Sequence, residues 1–187
     1  MNRRIGLCGS HRTGKTTLAV AVAKKFGIPF VKTDTSRVFA ENGLHPSDPM
    51  DFKTRIRIQH LVVNAASEVW SSVSGAFITD RTPIDMMAYT LADIQGQTDV
   101  DFKELEGYID HCFDETDKFF SHLAIIQPAI PLVYEEGKAA LNLAYMEHLN
   151  ILIIGLCQDK RLSADSAVLS REIINLKLRI AALVSDF

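Results

Sequence analysis

Residues Gly9-Ser10-His11-Arg12-Thr13-Gly14-Lys15-Thr16 fit G-x-x-x-x-G-K-[ST] at every fixed position. Before them stands a short apolar run, RIGLCG; after them KTTLAVAVAKKFG shows helical spacing that Gly27 can end. Two glycines at that spacing let the backbone curl until successive N–H groups and the first turn of the helix point inward, which makes a preformed anion cradle. Such a loop must be delivered by a strand and received by a helix, so an α/β fold is expected. The ligand implied is a nucleoside triphosphate. Gly9, Ser10, His11, Arg12, Thr13, Gly14 and Thr17 would wrap its phosphates, and Lys15 would reach the β and γ phosphates. Thr16 offers a hydroxyl to Mg²⁺. Arg12 has two readings: a side chain that stacks on a base or holds a phosphate, and a solvated loop arginine.

Composition bounds the rest. A chain of 187 residues suffices for one sizeable core, so a single domain over 1–187 is expected. Its 47% apolar and 23% charged residues are those of an ordinary globular chain. No apolar run reaches the roughly 18 to 20 residues that cross a bilayer. Met1 to Arg4 lead into a strand rather than a signal-peptide pattern, so a cytoplasmic location is expected, that of the host if the chain is phage-encoded. Cys8, Cys112 and Cys157 lack metal or disulfide spacing and read as buried thiols. The net charge of -3 argues against a general nucleic-acid coat.

Along the chain, IPFVKTD reads as a second strand, and Asp51 to Val73 as a long one-sided helix. GAFITDRTP reads as a buried strand, with Pro83 opening a helix to about Ala92. A loop at Gln95 to Thr98, a helix from Phe102 to Phe119 and a strand HLAIIQP follow. Gly137 among polar residues suits a flap that leads into a helix, and a lid is placed at 129–150. SAVLS is the best candidate for a last strand, before a closing helix from Ser170 to Val184. The expectation is a three-layer fold: a parallel sheet of four to five strands flanked by helices, with a helical lid.

Three residues or pairs fall at strand ends, where an open parallel sheet places its ligands: Asp34, Asp80 with Arg81, and Gln127. A guanine-reading N-K-x-D is absent. Taken together, GSHRTGKTTL, KTDTSR, ITDRTPIDMMAY and the flap IPLVYEEGKA resemble the P-loop nucleoside and nucleotide kinases, especially the ribosylnicotinamide-kinase-like and phage deoxynucleotide-kinase-like branch. That resemblance implies ATP as donor and Mg²⁺ as cofactor. It also implies Asp34 as base toward the acceptor hydroxyl, with Asp80 serving the metal and Arg81 serving phosphate or acceptor. Arg37 and Gln59 join Asp34 and Arg81 in the expected acceptor set. Lids in that family carry arginine, whereas 129–150 holds only Lys138, which leaves Arg161 as a substitute.

Structural readings stand beside these. Asp34 also suits a helix N-cap or turn, Asp80 suits the N-cap of the helix behind Pro83, and Asp85 suits a pair with Arg81. Gln59 suits an ordinary helix-surface amide. Phe52, Trp70, Tyr89 and Tyr108 fit the core as well as a stacking face. Three functions remain open: a kinase of a deoxynucleoside, deoxynucleotide or similar small alcohol; a kinase of a hydroxymethyl pyrimidine within phage DNA, with Lys53 to Arg57, Lys24, Lys25 and Lys32 as its basic groove; and a nucleotide-dependent ATPase or switch.

Overall fold

The computed structural model describes residues 3–46, 48–131 and 142–185. Its sheet has four strands, β1 (Arg4–Cys8), β2 (Phe77–Thr79), β3 (His122–Ile126) and β4 (Asp165–Leu169), in the order β2-β1-β3-β4 with every pair parallel. Among the described residues, seven helices connect and cover them: α1 (Lys15–Phe26), α2 (Thr35–Glu41), α3 (Phe52–Ser71), α4 (Pro83–Ala92), α5 (Phe102–Phe119), α6 (Leu143–Cys157) and α7 (Leu176–Ser185). Because all strands run the same way, their carboxyl ends share one rim. The loop after β1 opens there.

Period-two alternation assigns the two faces of the sheet. Ala124 and Ile126 of β3 join Ile5, Leu7 and Ile78 in packing on Leu18, Ala19 and Val22 of α1 and Leu183 of α7. Leu123 and Ile125 point the other way, into a larger core with Trp70, Tyr108 and Phe113 from α3 and α5. Trp70 is fully buried, with Phe120 edge-on at 5.0 Å and Phe119 at 5.5 Å. Truncating such a ring to alanine costs about 3–5 kcal/mol. Side chains start most of the helices: Asp51 accepts from Thr54 N at 2.7 Å, Asp101 from Lys103 N at 3.0 Å, and Asn142 from Tyr145 N at 3.0 Å. Gly27 ends α1 with φ 65°, a left-handed residue that a glycine adopts without a Cβ penalty.

Two expectations change. IPFVKTD is not a strand: Phe30 forms one isolated bridge with Ile78, flanked by Val31 N to Ile78 O at 2.8 Å and Ile78 N to Pro29 O at 3.0 Å. Pro29 has no N–H to extend the ladder, which fits its place outside the edge strand β2. The residues after it, where Asp34 suits a helix N-cap or a turn, wind into α2 with Asp34 as its cap. The closing helix starts at Leu176 rather than Ser170, since Asn175 Oδ1 takes Lys177 N at 2.9 Å and sets its beginning there. SAVLS does form β4. Of the lid placed at 129–150, residues 132–141 lie outside the described residues, and its last part is the first half of α6. Among the described residues, no helix is long and apolar enough to cross a membrane.

Candidate active site at the carboxyl rim of the sheet

The loop after β1 is built from inside by the residues that name it. A Cβ on Gly9 would run into the Ile126 carbonyl oxygen of β3, so the loop leaves the sheet only through a glycine. Gly14 holds φ 81°, and a Cβ there would meet Ile130 Cδ1 at 2.8 Å. Thr13 Oγ1 closes the turn by donating to Ser10 O at 3.0 Å. Lys15 folds back over the loop and donates to the carbonyl oxygens of Gly9 at 2.5 Å and Ser10 at 2.7 Å. Burial pulls its pKa down to about 8. Asp85 and Asp80 oppose that shift, and Arg81 adds to it.

The strand-end acids take different places. Asp80 Oδ2 accepts from Thr16 Oγ1, which brings together the two groups that sequence assigned to a metal. A hydroxyl and a carboxylate oxygen in contact beside a lysine-bearing phosphate loop are the oxygen donors that Mg²⁺ prefers. Asp80 is not the cap of α4. That place belongs to Thr82, whose hydroxyl faces Asp85 N while Asp85 accepts from Thr82 N at 2.9 Å and Thr82 Oγ1 at 2.8 Å. Asp85 therefore pairs with Thr82 rather than with Arg81. Its other oxygen accepts from Gly9 N at 2.8 Å, so one fully buried carboxylate ties the start of the phosphate loop to the start of α4.

Arg81 lies over the Tyr89 ring at 5.8 Å. Tyr89 in turn takes the His11 amide proton at 2.9 Å through its hydroxyl oxygen, and burial pushes its pKa up to about 12. Tyr145 of α6 faces His11 across 6.1 Å. From the last helix, Arg179 of α7 donates to Thr13 O at 3.1 Å. Asp85, Tyr89 and Arg179 are the contacts that the sequence reading missed. The T-x-x-D spacing of Thr82-Pro83-Ile84-Asp85 is the signal that was available for the first; the other two come from tertiary packing.

The expected acceptor residues do not gather as tightly. Asp34 is exposed and caps α2 by accepting from Arg37 N at 3.1 Å. Together with Lys32, Thr35 and Arg37 it lines a groove of about 280 Å³ against Ala65 and Val69 of α3. The Arg37 side chain lies 3.7 Å from Glu41, both well exposed. Gln59 is buried on α3 rather than on the helix surface. One turn earlier, Arg55 pairs with Asp93 at 2.7 Å in a larger cavity of about 620 Å³ that Asp48, Asp51 and Asp99 also line.

Two expected cationic roles fail on geometry. Arg161 donates to Asp159 at 2.9 Å and Asp110 at 3.1 Å and lies over Phe113, just ahead of β4. That is the amino end of a parallel sheet, opposite the phosphate loop, so Arg161 does not replace a lid arginine. Lys24 and Lys25 end α1, about 15 Å of helix away from the loop, and Arg55 is taken by Asp93. Lys24, Lys25 and Arg55 therefore do not meet at the loop as the expected basic groove requires. The three cysteines are buried thiols as expected, and burial raises Cys8 and Cys112.

Residues 4–120, well over half of the chain, match a family model described as an AAA domain. The chain belongs to this AAA domain family. Among solved structures the AAA domain chain is similar to deoxyadenosine kinase from M. mycoides with dCMP and dCDP bound, at 18% identity and a TM-score of 0.68 over 97% of this chain and 96% of that one. It is also similar to thymidylate kinase from Ehrlichia chaffeensis, at 12% identity and a TM-score of 0.64 over 98% and 97%. NadR in complex with NR matches at 15% identity and a TM-score of 0.67 over 99% of this chain and 49% of that chain. At these identities the likeness is one of fold, and the fold is that of P-loop nucleoside and nucleotide kinases. No curated protein matches the sequence.

Proposed function

We propose that this protein is an ATP-dependent phosphotransferase that moves the γ-phosphate to a hydroxyl or phosphate of a deoxynucleoside or deoxynucleotide-type acceptor. The observation that carries the reading is the meeting of Thr16 and Asp80 beside Lys15. A charge-bearing loop, a lysine and an oxygen pair for a divalent ion are the parts phosphoryl transfer needs. Thr16 and Asp80 would hold Mg²⁺, which when bound would supply charge neutralisation for the phosphates. Lys15 leaves the Gly9 and Ser10 carbonyls for the phosphate oxygens, an exchange of two neutral acceptors for an anionic one. Arg81, near Lys15 and above Tyr89, orients the transferring group or the acceptor. Asp34 takes the acceptor proton. The neighbours that share this fold include enzymes described as deoxyadenosine and thymidylate kinases, which supports the acceptor class.

The family description as an AAA domain favours a second reading, an ATPase or switch with no alcohol acceptor. Incubating the protein with γ-labelled Mg-ATP, separately with a deoxynucleoside mixture, a deoxynucleotide mixture, hydroxymethyluracil-containing DNA and no acceptor separates the cases. Label on a small acceptor is expected. Label on DNA alone would replace that acceptor by a polymer, and label released only as free phosphate would replace the kinase by the ATPase.

A further inference from the structure

Among the described residues, Arg179 is a cation buried without an anion. It is 2% exposed. Its Nη1 is spent on the neutral Thr13 carbonyl and lies 3.2 Å from where a Gly14 Cβ would be, so the guanidinium is packed against the phosphate loop. Its Nε is buried with no hydrogen-bond partner. Among the described residues no carboxylate lies within ion-pair distance of it, and burial alone acts on its pKa, downward. Buried charges are as a rule paired, because an unpaired one forfeits its hydration for nothing. Two groups on the loop share the deficit: Ser10 Oγ and Arg12 Nη2 are also buried without partners. Arg12 in addition holds φ 61°, a left-handed backbone that costs a non-glycine residue about 1–2 kcal/mol. Such strain persists where the surrounding structure has a use for the side chain. Three sets of unspent hydrogens around one loop call for the same thing, an oxyanion.

We propose that Arg179 is a donor-binding residue: with Arg12 it supplies, from the last helix, the guanidinium contact to the phosphate oxygens of the donor nucleotide. Segment 129–150 has no arginine to offer one. The inference rests on the reading of the loop as the donor site and adds to it a residue more than 160 positions away in sequence, which no loop motif contains.

Arg179→Met and Arg179→Lys test it by melting in the absence of nucleotide and by calorimetric titration with Mg-ATP, tripolyphosphate and adenosine. In Arg179→Met the melting midpoint without nucleotide is expected to stay level or rise, because an uncompensated charge has gone. Affinity for Mg-ATP and for tripolyphosphate should fall by the same factor, roughly tenfold to a hundredfold, as befits one charge-assisted contact. Adenosine binding should not change, and Arg179→Lys should retain part of the anion affinity. A lower midpoint with wild-type anion affinity would make Arg179 a staple between α7 and the loop and overturn the proposal. Loss confined to adenosine would overturn it too. Wild-type protein that takes up no Mg-ATP fails the donor reading itself, and the wild-type titration alone identifies that failure.

Discussion

Lys15 shows what the loop costs the fold. Its ammonium is buried and its pKa lies near 8 instead of 10.5, so the folded state holds the charge less readily than the unfolded chain does. Below about pH 8 that difference is a penalty, about 3 kcal/mol from the shift, and the penalty fades as pH rises toward 10.5. Lys15→Met should therefore raise the melting midpoint at neutral pH, with a gain that shrinks above pH 8, while transfer collapses through loss of charge stabilisation. A lower midpoint at pH 7 would contradict the burial argument, and retained turnover would contradict the cradle. Asp85 is the strongest charge holding Lys15 protonated, and it also holds Gly9 N. Asp85→Asn removes the charge and turns an amide hydrogen toward donors at Thr82 or Gly9. In the wild type, Mg-ATP affinity should fall as pH climbs through about 8; in Asp85→Asn that limb should move down by about 1 pH unit. Calorimetry from about pH 6.5 to about pH 9 reads it, and an unmoved limb would leave Asp85 a tether only.

At the scale of elements, the helices were the most legible part. α3, α4 and α5 begin within a residue or two of Asp51, Pro83 and Phe102, where the sequence places their starts. α2 was not, since seven residues carry too few turns for a period to stand out. What the sequence did offer there was a choice for Asp34 between base and cap. The structure shows the cap, which leaves its second oxygen available for the other role. Two substitutions divide the roles. Asn keeps an oxygen for Arg37 N but cannot take a proton, so Asp34→Asn should keep the melting midpoint and lose turnover roughly 10²- to 10⁴-fold. Asp34→Ala should lose the same turnover and about 1 kcal/mol of stability as well. If Asp34→Asn turns over at the wild-type rate, only the cap remains.

At the scale of the whole molecule, the loop motif and three apolar runs were enough to read a parallel sheet, because each crossover is a helix of recognisable period. The missing second strand was not readable from IPFVKTD alone: whether Pro29 ends a strand or merely borders one depends on which edge of the sheet it meets. The seam between α3 and α5 was equally hidden. There His60 meets Tyr108 edge-on at 5.0 Å and His111 at 5.5 Å, while His111 Nε2 lies 3.1 Å from Asn64 Oδ1. Burial lowers the His60 pKa first, His111 lowers it further, and Glu104 resists. A depressed pKa means that the unfolded chain takes up the proton before the folded one does. Stability is thus whole above the ordinary value of 6.5 and is lost as pH falls through 6.5 toward the folded value. The seam joins two of the longest helices, so this loss should register as cooperative unfolding of the whole molecule. His60→Gln, which removes the titrating ring and its packing on Tyr108, should melt lower than wild type at pH 7.5 yet lose less between pH 7.5 and pH 5. Parallel midpoint-against-pH curves for the two proteins would assign the acid limb to other groups.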